Sequence, residues 1–339
     1  MIFQDYLAAA RRHKGLNAAA MQAAGDFMLN GQTATAEIAE FLRILAARGE
    51  TTDELSGLVR SLRAHAAAFP AQPHAIDVCG TGGDGQNTVN ISTAVALTMA
   101  GCGVPVVKHG NRAASSKSGS ADVLEALGVK IDAAPELSQQ ALERANICFL
   151  FAPLYHPAMR HVAEARRMIA QRTIFNLAGP LANPAHPQRQ LIGVFHKNWL
   201  MPMAETLQTL GGTDAWVVHS RDGMDELSTM APADIAQLRG GSVNQITLDP
   251  KDYGFKPATL AALRGGDAAT NAGIIRLLLS GGAGALQDIV ALNAAAALVI
   301  AGHAADIAAG IATARNALNN GAAQAALDRL VAISNGKNQ

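Results

Sequence analysis

Hydrophobic residues recur at helical spacing throughout residues 1–70, and nowhere in that stretch do they alternate. The run Thr35 to Arg48 carries one apolar face and stops at Gly49, a natural C-cap. Thr52-Asp53-Glu54-Leu55 opens another helix with acids in its first turn, and that helix fades near Phe69. The linker is predicted at Pro70-Ala-Gln-Pro73. Beyond it, short apolar runs alternate with helical ones. Strands are predicted at Ala75–Cys79, Val104–Lys108, Val129–Ile131, Ile147–Phe151, Gln190–Phe195, Ala215–His219 and Asn244–Leu248. Helices are predicted at Ser92–Gly101, Ala121–Leu127 and Glu136–Ala145, and again from Asn271 onward. Strand alternating with helix is the pattern of βαβ units and a parallel sheet. A helical, arginine-bearing insertion between Pro157 and Pro184 breaks the rhythm. The organisation expected is a small helical domain over residues 1–70, joined by helices from 157–184, and a large α/β domain over 71–156 and 185–339.

Composition narrows this picture. Among 339 residues, 49% are apolar but only 4% aromatic, which suits closely packed helices on a sheet better than an aromatic-rich sandwich. Lysine and arginine number 27, balanced by 27 acids, so no basic field favours nucleic acid, and anionic ligands must be held by local charge. Cys79, Cys102 and Cys148 sit in apolar stretches, too few and too far apart for a disulfide framework or a zinc site. The N-terminus shows no basic flank before an apolar run, and no apolar stretch is long enough to span a bilayer. A soluble cytoplasmic protein is expected, without nucleic-acid or membrane partners.

Four segments carry chemistry. Gly80-Thr-Gly-Gly-Asp-Gly-Gln-Asn-Thr-Val-Asn-Ile-Ser-Thr93 places three glycines in four positions after a strand and leads into a helix N-terminus. It matches neither the P-loop nor the dinucleotide fingerprint, and alone it is equally a tight turn. Lys108-His-Gly-Asn-Arg-Ala-Ala-Ser-Ser-Lys-Ser-Gly-Ser120 follows the next strand with cations and hydroxyls suited to phosphate oxygens. Two such loops at neighbouring strand ends point to a shared phosphate site. Asp225-Glu226, beyond another strand, is a carboxylate pair of the kind that joins Mg²⁺ to substrate phosphates. In the insertion, Arg160 and Arg167 share a helical face and Arg166 is offset by one residue; a guanidinium there suits a planar carboxylate. His156 and His161 are five apart, the wrong spacing for a helical metal pair.

Taken together, these runs resemble the anthranilate phosphoribosyltransferase family. The resemblance rests on Gly80-Thr-Gly-Gly-Asp84, Asn90-Ile-Ser-Thr93, Lys108-His-Gly-Asn-Arg112 with Ser115-Ser116, Gly119 to Gly128, and His156-Pro-Ala-Met-Arg160. It extends to Arg172-Thr-Ile-Phe-Asn176, Gly179-Pro-Leu181 and the Gly-x-Asp-Glu-Leu run at 223–227, all in the family's order. It implies a nucleoside phosphorylase-like phosphoribosyltransferase fold: a small all-helical domain, a large α/β domain whose central sheet is mostly parallel with one antiparallel strand, a cleft between them, and a homodimer. It implies that Gly80, Gly83, Asp84, Thr88, Asn90, Ile91, Ser92, Thr93, Lys108, His109, Gly110, Asn111, Arg112, Ser115, Ser116 and Ser120 hold phosphoribosyl pyrophosphate. Gly80, Asn111 and Arg166 would hold anthranilate, and Ser92, Asp225 and Glu226 would engage Mg²⁺. Lys108, Asn111 and Arg166 are the expected catalytic residues. Val89 stands where the family has Phe, Glu164 where Pro is common, and Ala178 and Ala182 replace bulkier residues.

The activity implied is transfer of the phosphoribosyl group to the amine of anthranilate, a step of tryptophan biosynthesis. Displacing pyrophosphate needs cations and N–H donors more than a nucleophile, and the chain offers no convincing triad. Two alternatives remain at this point. A pyrimidine nucleoside phosphorylase-like enzyme would be longer and lack the Lys108 to Arg112 run. A non-catalytic nucleic-acid-binding relative fits poorly with neutral charge and an intact Asp225-Glu226.

Overall fold

Local signals at helix ends start the N-terminal bundle. Thr51 Oγ1 accepts from the Glu54 N–H at 3.2 Å while Glu54 returns the bond to the Thr51 N–H at 3.0 Å, a reciprocal cap that fixes where the fourth helix begins. The structure, a computed structural model, describes residues 1–70, 74–113 and 117–337. Its first four helices are α1 (Phe3–Arg11), α2 (Ala18–Leu29), α3 (Thr35–Arg48) and α4 (Thr52–Ala64). Helices α2 and α4 cross so closely that a Cβ on Gly57 would lie 2.3 Å from the Ala18 carbonyl oxygen. An Ala- and Gly-rich composition permits such contact.

The α/β part follows with β1 (Ile76–Gly80), α5 (Ile91–Gly101), β2 (Val106–Gly110), α6 (Ser120–Ala126), α7 (Pro135–Ala145) and β3 (Ile147–Phe151). Then come α8 (Ala152–Tyr155), α9 (Arg160–Ile169), α10 (Ile174–Leu181), β4 (Arg189–Gly193), α11 (Leu200–Thr209), β5 (Asp214–Ser220), β6 (Ala233–Arg239) and β7 (Ser242–Leu248). Helices α12 (Ala268–Leu279), α13 (Ala285–Ile300), α14 (Ile307–Asn319) and α15 (Ala322–Ser334) complete the chain.

The seven strands lie in the order β3-β2-β1-β4-β5-β6-β7. The first five run parallel, and β6 is antiparallel to both neighbours. That is the mostly parallel sheet with one reversed strand that the resemblance implies. Alternate residues serve two cores: along β5, Trp216 and Val218 join α5 and α13, whereas Ala215 and Val217 join α11 and the N-terminal helices. Helix α13 is apolar on almost every side and buried on almost every side. In α9, Val162, Ala165 and Ile169 share the second core with Ile38 and Phe41 of α3. Arg43 of α3 also donates to the Met168 carbonyl at 3.2 Å.

Two expectations about strands differ from the structure. Val129–Ile131 forms no strand, although Val129 and Ile131 are buried and Lys130 is exposed. The segment has no strand beside it; β2 and β3 pair directly, and the Lys130 N–H donates to Ser334 Oγ of α15 instead. Conversely, β6 went unpredicted because Ala233-Asp-Ile-Ala-Gln-Leu-Arg239 is poor in β-branched residues. Register with β5 and β7 makes it a strand. The predicted linker lies outside the described residues after Pro70.

One buried side chain ties the sheet to the loop that precedes β4. Asn183 donates from Nδ2 to Asp77 Oδ2 and to the Val107 carbonyl, both at 2.8 Å, and accepts from the Ala185 N–H at 2.9 Å. Burial pushes the Asp77 carboxyl up to about 6, with Lys108 and the Asn183 bond pulling it back. Asn183→Ala leaves the Asp77 carboxyl and the Val107 carbonyl without this donor, and the expected loss is about 2–3 kcal/mol. Urea unfolding of both proteins measures it, and a loss below about 0.5 kcal/mol, the range of neutral surface changes, would show that Asn183 is not the tie.

Candidate active site

Strand β1 sits where the sheet's connections change direction, with β2 on one side and β4 on the other. Crevices form beyond the carboxyl ends of strands at such a point. Here that crevice receives the glycine loop after β1, the loop after β2, and the acidic loop after β5.

The three meet because two positions lack side chains. A Cβ on Gly193, the last residue of β4, would lie 1.4 Å from the Asp225 carbonyl oxygen, and one on Gly80 would lie 2.7 Å from Asp225 Oδ2. With both absent, Asp225 Oδ2 reaches in to accept from the Gly82 N–H at 2.9 Å. The Thr81 N–H donates to the Gly193 carbonyl at 2.9 Å, which pins the root of the glycine loop to β4. From behind, Asn293 of α13 bonds the Leu227 N–H and carbonyl at 2.9 and 2.8 Å, and Ser220 Oγ donates to the Glu226 carbonyl at 2.6 Å. The acidic loop is therefore rigidly seated.

Charge is crowded there. Burial, then the neighbouring Asp84 carboxylate, pushes Asp225 up to about 7. Burial and then Asp225 push Glu226 far above the carboxylate range, against the pull of Lys108 and of the Ser92 N–H. Asp84 uses Oδ1 to accept from the Gln86 N–H at 3.0 Å, while its buried Oδ2 has no partner. Lys108, 2% exposed, donates to the Val78 carbonyl at 2.8 Å and to Ser92 Oγ at 3.4 Å. Crowded, desolvated carboxyls beside an Asp84 oxygen without a hydrogen-bond donor form a donor set that a divalent cation fits. No three His, Cys, Asp or Glu side chains among the described residues are grouped to hold an ion by themselves. The Asp225-Glu226 pair with Ser92 offers the one or two carboxylates that Mg²⁺ takes, its other positions going to water and substrate phosphate.

The other predicted residues divide into groups. Ser92, Lys108, Gly80, Gly83 and Asp84 converge with Asp225 and Glu226. Thr88 bridges to Arg264, and Gly265 donates its N–H to the Asn87 carbonyl at 2.9 Å. At the start of α5 the backbone donors are largely taken: Ile91 N–H goes to the Val89 carbonyl at 2.7 Å and Thr93 N–H to the Asn90 carbonyl at 3.1 Å. The side chains of Ile91 and Thr93 are buried. What the helix end presents is thus its dipole, Asn90 and Ser92 more than free N–H groups. Gly110 lies against Ser120, the first residue of α6. Asn111 is exposed, its Oδ1 accepting from the Arg112 N–H at 2.8 Å. The Arg112 guanidinium is occupied by Asp122 and Glu125 at 3.0 and 2.7 Å. His109 is held neutral, burial and then the His156 ring 5.2 Å away lowering it to about 3. Ser115 and Ser116 lie outside the described residues.

Arg166 faces a different environment from its neighbours. It is partly buried, lies 5.4 Å from the Phe175 ring, and has no carboxylate in ion-pair range among the described residues. Burial lowers its pKa. Arg160 and Arg167 are exposed. A half-desolvated guanidinium of this kind is suited to an anionic, planar ligand.

Sequence reasoning missed Asn271, on α12 and 2% exposed. Its Nδ2 donates to Asn90 Oδ1 and Ser118 Oγ, both at 2.8 Å, and its Oδ1 accepts from the Gly266 N–H at 2.7 Å. It locks both phosphate loops to a third. Nothing local marks it, since its partner Asn90 is 181 positions away.

Known proteins resemble this chain in sequence and fold. The family model described as "Glycosyl transferase family, a/b domain" matches residues 72–324, and "Glycosyl transferase family, helical bundle domain" matches residues 4–66. Anthranilate phosphoribosyltransferase from Parvibaculum lavamentivorans is 48% identical over 99% of this chain and 98% of its own; that from Agrobacterium fabrum is 49% identical over 96% and 95%. The crystal structure of the Thermus thermophilus enzyme superposes with a TM-score of 0.93 at 40% identity, covering 98% of this chain and 99% of that one. The Saccharomyces cerevisiae enzyme, solved in complex with PRPP and Mg, shares the fold at a TM-score of 0.90 and 23% identity, covering 98% of each chain. Matched along nearly its whole length at close to half identity, the chain belongs to the anthranilate phosphoribosyltransferase family.

Proposed function

We propose that this chain transfers the phosphoribosyl group of phosphoribosyl pyrophosphate to the amine of anthranilate, releasing pyrophosphate, in tryptophan biosynthesis. The observation that carries the reading is the convergence of two phosphate loops and an acid pair on one crevice. Its relatives, across nearly their full length, are anthranilate phosphoribosyltransferases. On this reading residues 157–184 belong with the helices of residues 1–70, and the enzyme is a cytoplasmic homodimer.

Asp225, Glu226 and Ser92 would hold Mg²⁺, which when bound neutralises charge on the pyrophosphate. The glycine loop, Asn90, Ser92 and Lys108 hold the sugar phosphate and its leaving group at the carboxyl ends of β1 and β2. Charge on the departing oxygens is met by groups already in place, so little reorganisation accompanies the reaction. Arg166 orients the anthranilate carboxylate from the helical side, with Gly80 and Asn111 completing the aromatic site. The aryl amine is already a free base, so no protein base is required. Attack opposite the leaving group inverts the anomeric carbon, and closing the cleft keeps water from the activated sugar.

Mixing protein, anthranilate, phosphoribosyl pyrophosphate and Mg²⁺ should consume anthranilate fluorescence, and a chelator should stop it. Asp225→Asn with Glu226→Gln removes like-charge repulsion that burial already strains, so the melting temperature should hold while the Mg²⁺ requirement rises or turnover ends. Unchanged activity of that double variant at low Mg²⁺ would refute the metal assignment.

Lys108→Ala should weaken phosphoribosyl pyrophosphate binding by about 1.5–3 kcal/mol, the usual loss for a bond to a charged group. Anthranilate affinity should change far less. Calorimetric titration of each substrate decides it: equal losses for both would make Lys108 a support of the cleft and not a phosphate ligand.

Arg166→Ala should raise the KM for anthranilate about tenfold or more, with the sugar KM little changed and kcat modestly lower, the signature of lost ground-state binding. Arg167→Ala should be milder, its side chain being exposed and turned about 100° around the helix. A larger anthranilate defect in Arg167→Ala would overturn the placement of the aromatic site.

A further inference from the structure

Arg172 lies in the turn between α9 and α10, three residues past the end of α9 and outside both phosphate loops. Its Nη2 donates to the Gly83 carbonyl, and its guanidinium carbon lies 3.9 Å from the centre of the Phe195 ring. Phe195 is itself joined to the glycine loop, its N–H donating to Thr81 Oγ1 at 3.0 Å. A closed circuit results, running from Thr81 through Phe195 and Arg172 back to Gly83. Among the described residues Arg172 has no carboxylate in ion-pair range, so no acid competes for it.

The loop needs such a hold. Gly82, Gly83 and Gly85 have φ of +66°, +78° and +78°, a region glycine reaches freely and leaves as freely. A loop with three such hinges has little stiffness of its own, and ordering it on binding costs affinity. Glycine at 83 suits the circuit twice over: its φ lies where side chains are strained, and a Cβ there would lie 2.8 Å from Arg172 Nη2 and push the guanidinium aside. Stacking on an aromatic face gives the exposed guanidinium a fixed plane from which to bond the carbonyl.

We propose that Arg172 is a positioning residue, a latch that holds the glycine loop in its binding shape through the Gly83 carbonyl with Phe195 as its platform. This rests on the reading of the crevice as the phosphoribosyl pyrophosphate site. The latch acts on the sugar-phosphate side, although Arg172 itself is carried by the helical segment that bears Arg166.

The test compares the full chain with Arg172→Gln, Phe195→Leu and the pair. Backbone amide exchange at residues 82–86 is measured without ligand, and KM is measured for both substrates. Arg172→Gln should speed exchange there about tenfold and raise the phosphoribosyl pyrophosphate KM about 5- to 20-fold, with anthranilate KM within about twofold. Phe195→Leu should give part of the same defect, and the pair should be no worse than Arg172→Gln alone, because both act through one circuit. Unchanged loop exchange with unchanged sugar KM would overturn the latch. So would equal rises in both KM values with faster exchange throughout the sheet, the mark of general loosening. Absence of turnover in the unaltered chain would overturn the reading of the site instead, and the exchange comparison would still decide whether the latch exists.

Discussion

The chemistry of this protein depends on a steric permission. Gly80 and Gly193 end adjacent parallel strands, and only hydrogen at both lets the acidic loop after β5 lie across their tips. Once the loop lies there, Asp225 must share space with Asp84 and the glycine loop, and Glu226 must sit near Lys108. Each carboxylate is destabilised by desolvation and by its neighbours. The fold supplies the compensation elsewhere, in the buried bonds of Asn293 and Ser220 that seat the acidic loop. Such local strain, held by a well-satisfied surrounding, is what a site for a cation and a polyanion requires.

Most of the fold was legible because its signals are local. The change from helical to strand periodicity near residue 75, the stop at Gly49, the acidic first turn at Asp53-Glu54, and the glycine run after β1 each act over a few residues. Val129–Ile131 has the alternation of a strand, but being a strand needs a neighbour, and β2 and β3 leave no place between them. The reverse holds for β6, whose Ala, Asp and Gln are weak strand formers made into a strand by two partners. Pairing is a property of the sheet and cannot be seen from one segment.

The site was legible in its charged and glycine residues, since few other roles explain a carboxylate pair and two polar loops at strand ends. Less visible was how each side chain would be used. Arg112 stands in a run of phosphate-type donors, yet Asp122 and Glu125, which lie ten and thirteen positions on, engage it first. Backbone donors at the head of α5 are likewise mostly spent locally. Asn271 and the Phe195 platform gave no signal at all, because the loops they serve lie far off, Asn90 181 positions from the one and Thr81 114 from the other.

Asn271 has a temporal consequence. It joins Asn90 and Ser118 only after a loop of more than 150 residues has closed, and β4 must already have inserted beside β1. Closure over such distances is entropically unfavourable until the contacts it brings are made, so it comes late in folding. A chain emerging from the ribosome carries both phosphate loops long before the residue that fastens them together. Until Asn271 arrives, the crevice exists only as separate segments that wait exposed, and its Gly-rich loops are fastened by a residue from the last third of the chain.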